Sequence, residues 1–383
     1  MASQSEDASV LNSPIGYSSL AAETAFPHRP KLIVDLRFLQ ERSGFHALTT
    51  EDVHDVFLKS DNQPRAGTAL PELLQGGHFR RAAEASVIEL LQCSPNDAER
   101  IFYLLYTRLA SLVLINRSDL AAHEAGALTD YLARSPPGAR DVLPLIPWEL
   151  RLLLVRLQST AANDGGRRAI MALYALTAET RSHIRDARES GDQQEQSIWS
   201  ERLRELGLRV GDTLAEMGEL ETASRHLDTL VDVKGDEIAF RKALLRLRIG
   251  DVHGAKQNID SIENATHRTA LEALLAFSNG KIPEAVSLCQ TQVDNDSSNP
   301  LFATNLAVGL LYTGRITEAR DLFESIAQTQ PAFPGLLFNL ATVYELCTDH
   351  ARERKTDLAH GMASKTPAAA SGGWERANFE FKL

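Results

Sequence analysis

Cysteine is scarce. The 383 residues hold three, Cys93, Cys289 and Cys347, an odd number, far apart and without a Cys-x-x-Cys pair. That distribution supports neither a disulfide framework nor a structural zinc site. Aromatic residues make up 6% of the chain, and with Leu and Ala abundant this disfavours an all-β sandwich. No β-branched alternation recurs, so no sheet is expected. Uninterrupted apolar runs long enough to cross a bilayer are missing, and the polar, acidic start has no basic or apolar region of a secretory signal. Positive charge is in deficit. Lys and Arg total 40 against 51 Asp and Glu, a net charge of -11, and no nucleic-acid partner is expected without a positive field. Catalytic signatures are missing too: there is no GxGxxG, P-loop, GxSxG or HExxH. His123-Glu124 lacks the second His a zinc site needs, and the eleven histidines are scattered. No catalytic residue, metal or cofactor is therefore expected.

What the chain does contain is 43% apolar residues arranged with helical periodicity. Residues 1–29, rich in Ser, Ala and Glu with Pro14 and Pro27, read as a disordered N-terminal segment. Residues 30–188 read as a helical N-terminal half of hairpins. Within it Ala98 to Ile115 is a long apolar helix whose Ile101, Leu104, Leu105 and Leu112 keep helical spacing, with Arg108 the one polar residue on that face. Residues 189–198, polar and containing Gly191, read as an insertion between two halves of one array. Residues 199–361 carry an internal repeat, and residues 362–383 read as a linker and C-terminal tail.

The repeat is a small residue, then Gly seven positions on, Ala five further, and a larger apolar residue four beyond that. Its copies are Gly211, Gly218, Ala223 and Leu227; Ala243, Gly250, Ala255 and Ile259; Ala273, Gly280, Ala285 and Cys289; and Ala307, Gly314, Ala319 and Phe323. A fifth first helix shows in Leu337, Leu340, Ala341 and Tyr344. The glycines are 32, 30 and 34 residues apart. Gly ends the first helix of a pair in a left-handed conformation. The small residues let two axes approach closely. The large ones fill the space toward the next pair. Pro331 stops the fourth copy. This is the tetratricopeptide pattern, and it predicts an all-α solenoid of stacked helical hairpins. Gly77-x4-Ala82 and Asn116-x4-Ala121 are faint echoes in the N-terminal half.

A solenoid binds along the concave surface lined by its first helices. Two residues before each recurring small residue stand Arg209, Arg241, Leu271, Asn305 and Asn339. Asn offers a peptide backbone one donor and one acceptor, and Arg grips a carboxylate in a fork. Arg209, Arg241, Asn305 and Asn339 are therefore candidate partner-binding residues, set against an ordinary solvated face. In the tail, Trp374, Phe379 and Phe381 are candidates for a short docking motif, set against a segment that folds back on the last helix.

Leu306-Ala307 through Pro331, then Leu337-Phe338-Asn339-Leu340 with Thr342, Tyr344, Glu345 and Leu346, resemble the last repeats of the subunit 12 family of the trafficking protein particle (TRAPP) complex. Ile146-Pro147-Trp148 with Arg151-Leu152-Leu153, and the ending Ala377-Asn378-Phe379 to Lys382-Leu383, are similar to the same family. The resemblance implies a non-catalytic scaffold in a tethering and Rab nucleotide-exchange assembly. That assembly serves endoplasmic reticulum-to-Golgi transport, Golgi organisation and autophagy. It further implies subunits 8, 11 and 13 as neighbours, a Rab GTPase met only indirectly, and a cytoplasmic protein held peripherally at ER-exit and Golgi membranes through the complex. The alternative is a general tetratricopeptide adaptor or co-chaperone that holds an extended peptide in its groove.

Overall fold

The computed structural model describes residues 34–51, 53–134, 142–161, 166–230, 235–330 and 333–366, together with Ala369. Among them the regular structure is helical throughout. After the single turn α1 (Asp55–Leu58) the chain runs as hairpins. α2 (Leu70–Gln75) pairs with α3 (Phe79–Gln92), α4 (Ala98–Leu114) with α5 (Ser118–Arg134), and α6 (Trp148–Ala161) with α7 (Arg167–Ser190). Then come α8 (Gln193–Glu216) with α9 (Leu220–Asp228), α10 (Asp236–Ile249) with α11 (Val252–Asp260), and α12 (Ala265–Ser278) with α13 (Ile282–Asn295). The array closes with α14 (Pro300–Tyr312) and α15 (Ile316–Thr329), then α16 (Pro334–Cys347) and α17 (Ala351–Ala363). From α2 to α17 each helix packs on the next one along the chain. That is the α-solenoid.

The repeat residues do what the pattern requires. Gly218, Gly250, Gly280 and Gly314 all turn with φ between 71° and 90°. Ala223, Ala255, Ala285 and Ala319 behind them are fully buried. A Cβ on Gly211 would sit 2.7 Å from Leu227 Cδ2, so the α8–α9 axes approach as closely as glycine allows. Cys289 is fully buried, and burial pushes its thiol up to about 11, which makes it a core side chain rather than a nucleophile. The faint echoes follow the same geometry. Gly77 turns with φ 72° and Asn116 with φ 66°, each ahead of a fully buried alanine, Ala82 and Ala121.

The polar insertion expected at 189–198 is a correction. α7 ends at Ser190, Gly191 takes a left-handed φ of 76°, and the Asp192 carboxylate accepts a hydrogen bond from the Glu195 N–H to start α8. Gln193 onward is helix, so the array passes through this point without a break. The tail candidates and the N-terminal segment to residue 33 lie outside the described residues.

Two networks pin the hairpins. Arg108, buried in α4, forks onto Glu124 of α5 (Nε–Oε2 2.8 Å, Nη2–Oε1 2.7 Å). It also donates to the carbonyls of Ala83 and His46, while Glu124 Oε1 accepts the His46 N–H at 2.9 Å. The pair thus joins α3, α4 and α5 to the incoming chain, with a partner for each nitrogen of the guanidinium. The same incoming chain then leaves this end. Thr49 O accepts from Arg80, and beyond it Phe57 of α1 is fully buried among Ala359, Met362 and Ala363 of α17. Ser60 Oγ donates to Ala363 O at 2.6 Å, and Asn62 Nδ2 to Ser364 O at 3.0 Å. Ala369 in turn rests on the N-terminal core. One segment, residues 45–62, therefore ties the first hairpins to the last.

Removing one partner of a buried pair leaves an uncompensated charge. Arg108→Met is expected to cost about 3–5 kcal/mol in a denaturant titration. The double variant Arg108→Met with Glu124→Leu is expected to recover most of that loss.

Candidate partner-binding surface

The first helices that would line a groove are α8, α10, α12, α14 and α16. Their common site is not a uniform row. Arg209 on α8 is held by Glu205 one turn back (Nη2–Oε1 2.7 Å), and Glu205 Oε2 accepts from Trp148 Nε1 at 2.9 Å. Arg241 on α10 reaches Asp212 on α8 at 2.7 Å and Glu237 on its own helix at 3.0 Å. Burial lowers the Arg241 pKa, but Asp212 and Glu237 outweigh it and hold the guanidinium above its ordinary value. Both arginines are thus neutralised within the chain, Arg209 on its own helix and Arg241 across to α8. Leu271 on α12 is fully buried against Ala239 and Ala243, which breaks the row. Asn305 on α14 and Asn339 on α16 are half-buried, and neither side chain makes a hydrogen bond among the described residues. Of the four groove candidates, the two asparagines keep their donors and acceptors available.

The pattern reading missed the apolar residues nearby. Tyr312 at the end of α14 is 75% exposed, and Leu346 near the end of α16 is 63% exposed. They occupy one repeat position, five residues after Ala307 and Ala341. Phe338, beside Asn339, is also exposed. The repeat register alone carries the signal for this pairing. The C-terminal hairpins thus combine unbonded amides with apolar surface, a composition suited to gripping a polypeptide.

At the other end of α8 an aromatic cluster sets its angle against α6 and α7. Trp148 and Trp199 meet edge to face with centroids 6.2 Å apart, His183 stacks on Trp199 at 4.1 Å, and the Arg202 guanidinium lies over both indoles. Arg151 forks onto Glu179 (2.9 and 2.5 Å). Burial raises the Glu179 pKa, yet hydrogen bonding and the charge of Arg151 outweigh it, so the carboxyl sits below its ordinary value. This is mechanical coupling of neighbouring helices. Among the described residues no three or more His, Cys, Asp or Glu side chains are grouped to hold a metal. No described helix is long and apolar enough to cross a membrane.

No protein-family model matches the chain. Trafficking protein particle complex subunit 12 of Mus musculus is 24% identical over 254 residues, 62% of this chain and 30% of that protein. The subunit of the same name from Homo sapiens is 21% identical over 370 residues, 86% of this chain and 50% of that protein. The chain is a distant relative of these subunits. It spans half or less of the length of the curated relatives it matches. Among solved structures, the P58(IPK) TPR domain covers 82% of this chain and 96% of its own, at 15% identity and a TM-score of 0.22.

The Glu179 shift fixes a pH dependence. A carboxyl depressed in the folded state stabilises the fold above its ordinary value of 4.5 and loses that contribution as pH falls through the lowered value. Melting temperatures measured from pH 7 down to acid are expected to show a shallower acid loss for Arg151→Gln than for the parent chain.

Proposed function

We propose that the chain is a non-catalytic scaffold subunit of a TRAPP-type vesicle tethering and Rab nucleotide-exchange complex, acting through protein–protein contact in ER-to-Golgi transport, Golgi organisation and autophagy. The observation that carries this reading is the similarity to subunit 12 of the human complex over 370 residues, 86% of the chain. The architecture supports it. A stack of hairpins buries its core between neighbours and leaves long surfaces free for other chains. In this reading subunits 8, 11 and 13 are the neighbours. A Rab GTPase is met through other subunits, and the protein is cytoplasmic, held at ER-exit and Golgi membranes through the complex. Asn305 and Asn339, with Tyr312 and Leu346 near them, take part of a neighbour's backbone. The general adaptor or co-chaperone reading is weakened at the residues a peptide clamp would use, since Arg209 and Arg241 are already engaged by Glu205, Asp212 and Glu237.

Affinity purification of the tagged full chain with mass spectrometry separates the two. Co-recovery of TRAPP core subunits with 8, 11 and 13 is the expected result. Recovery of chaperones without them would favour the adaptor. The double variant Asn305→Ala with Asn339→Ala is expected to reduce co-recovery of a direct neighbour while unfolding within about 0.5 kcal/mol of the parent. Unchanged co-recovery would remove the two asparagines from the interface.

A further inference from the structure

α7 carries an exposed stripe that the scaffold reading does not use. The helix has 24 residues. Its Arg167, Met171, Tyr174 and Ala178 are all exposed and follow spacings of four, three and four residues. Arg181, Arg185 and Arg188 continue that alternation, also exposed. Steps of three and four in turn draw a nearly straight line along a helix. At 1.5 Å per residue this one runs about 31 Å. The opposite side of α7, with Leu173, Leu176, Thr180 and Ala187, is buried against its neighbours. Met171 is 67% exposed and Tyr174 48%, large apolar groups that the fold leaves in water. Arg167, Arg181, Arg185 and Arg188 form no ion pair among the described residues, although Asp186 and Glu189 lie on the same helix. In a chain of net charge -11, four such arginines around an apolar centre form a local feature with its own sign.

We propose that this stripe is the docking face for an amphipathic α-helix of another protein, one that carries carboxylates opposite both ends of the stripe and small apolar residues opposite Met171 and Tyr174. Three arguments select that occupant. The heptad-like spacing is what a second helix crossing at a shallow angle reads. Arginine and tyrosine are the residue types that carry interface energy, and a methionine adapts to what packs on it. The charge arrangement then sets the partner's sign. A second copy of this chain does not fit. Antiparallel pairing of two α7 helices puts Arg167 across from Arg188, and parallel pairing puts each arginine across from itself. An anionic bilayer fits less well, because the stripe offers two large apolar side chains rather than a broad apolar face, and the rest of the molecule is acidic.

The test uses the full chain and a synthetic helical peptide with Glu at heptad positions facing the arginines and Ala or Leu at those facing Met171 and Tyr174. Fluorescence anisotropy is expected to give micromolar binding that weakens between about 50 and about 200 mM salt. The variant R181E/R185E/R188E, with an unchanged circular dichroism spectrum and melting temperature, is expected to bind about tenfold or more weakly. A peptide with Lys in place of Glu is expected not to bind. Absence of binding by the Glu peptide up to about 100 µM, or equal binding by the variant, would overturn the proposal. So would sedimentation of the parent chain, but not the variant, with vesicles of roughly 30% phosphatidylserine when the peptide fails to bind.

Discussion

Every helical hairpin in this protein has an apolar side that it cannot cover alone. α14 shows the constraint plainly. Phe302, Ala303, Leu306, Ala307 and Leu310 are buried on one side of it, and Leu301, Val308 and Leu311 carry apolar surface round to the other, so burying one face against α15 leaves another facing water unless α13 and α16 close over it. Burying a large apolar side chain is worth about 1.5–3 kcal/mol, and the array draws that stabilisation from neighbour contacts rather than from a central core. Stability is therefore distributed along the chain, and surfaces that would be core in a compact domain remain accessible.

A stack of this kind has two exposed ends, and the chain covers them with one segment. At the repeat positions of the last hairpin, Thr348 and Glu353 stand where the preceding copies have the turn glycine and the buried alanine. α17 receives Phe57 and hydrogen bonds from Ser60 and Asn62. At the opposite end His46 and Thr49 of the same segment attach to α3, α4 and α5 through Arg108, Glu124 and Arg80. The buried ion pair sits where the segment enters, so its geometry fixes where the strap begins.

The stacking was legible because it is local and periodic. A glycine that must adopt a positive φ and an alanine that must pass under a neighbouring helix leave their marks at fixed spacing. Gly218 with Ala223 and Gly314 with Ala319 are read from sequence without coordinates. Even Asn116 keeps the mark, since asparagine tolerates the left-handed turn better than most residues. The strap was not legible, because Phe57 meets α17 across almost the whole length of the chain and no periodicity records it. Arg108 was the trace that remained, a lone charge on an apolar face, but its partner is set by packing. The turn at Gly191 was misread because a polar run resembles a linker, whereas Gly191 and Asp192 supply the stop of one helix and the start of the next. At the candidate surface the sequence supplied the repeat position. Side-chain packing then decided that Arg209 and Arg241 are engaged, that Leu271 is interior, and that Asn305 and Asn339 are available.

Neighbour dependence is the claim on which the account rests, and hydrogen exchange on the full chain tests it most directly. Ala307 is fully buried between hairpins, and Ala307→Leu overpacks that seam by about 1–3 kcal/mol. In an array stabilised by its interfaces, exchange should rise first in α14 and α15, then in α13 and α16, and fade with distance toward α4. Uniform acceleration across all helices would indicate one cooperative globular core, and acceleration confined to α14 alone would indicate hairpins that do not lean on one another. Either result would contradict the account.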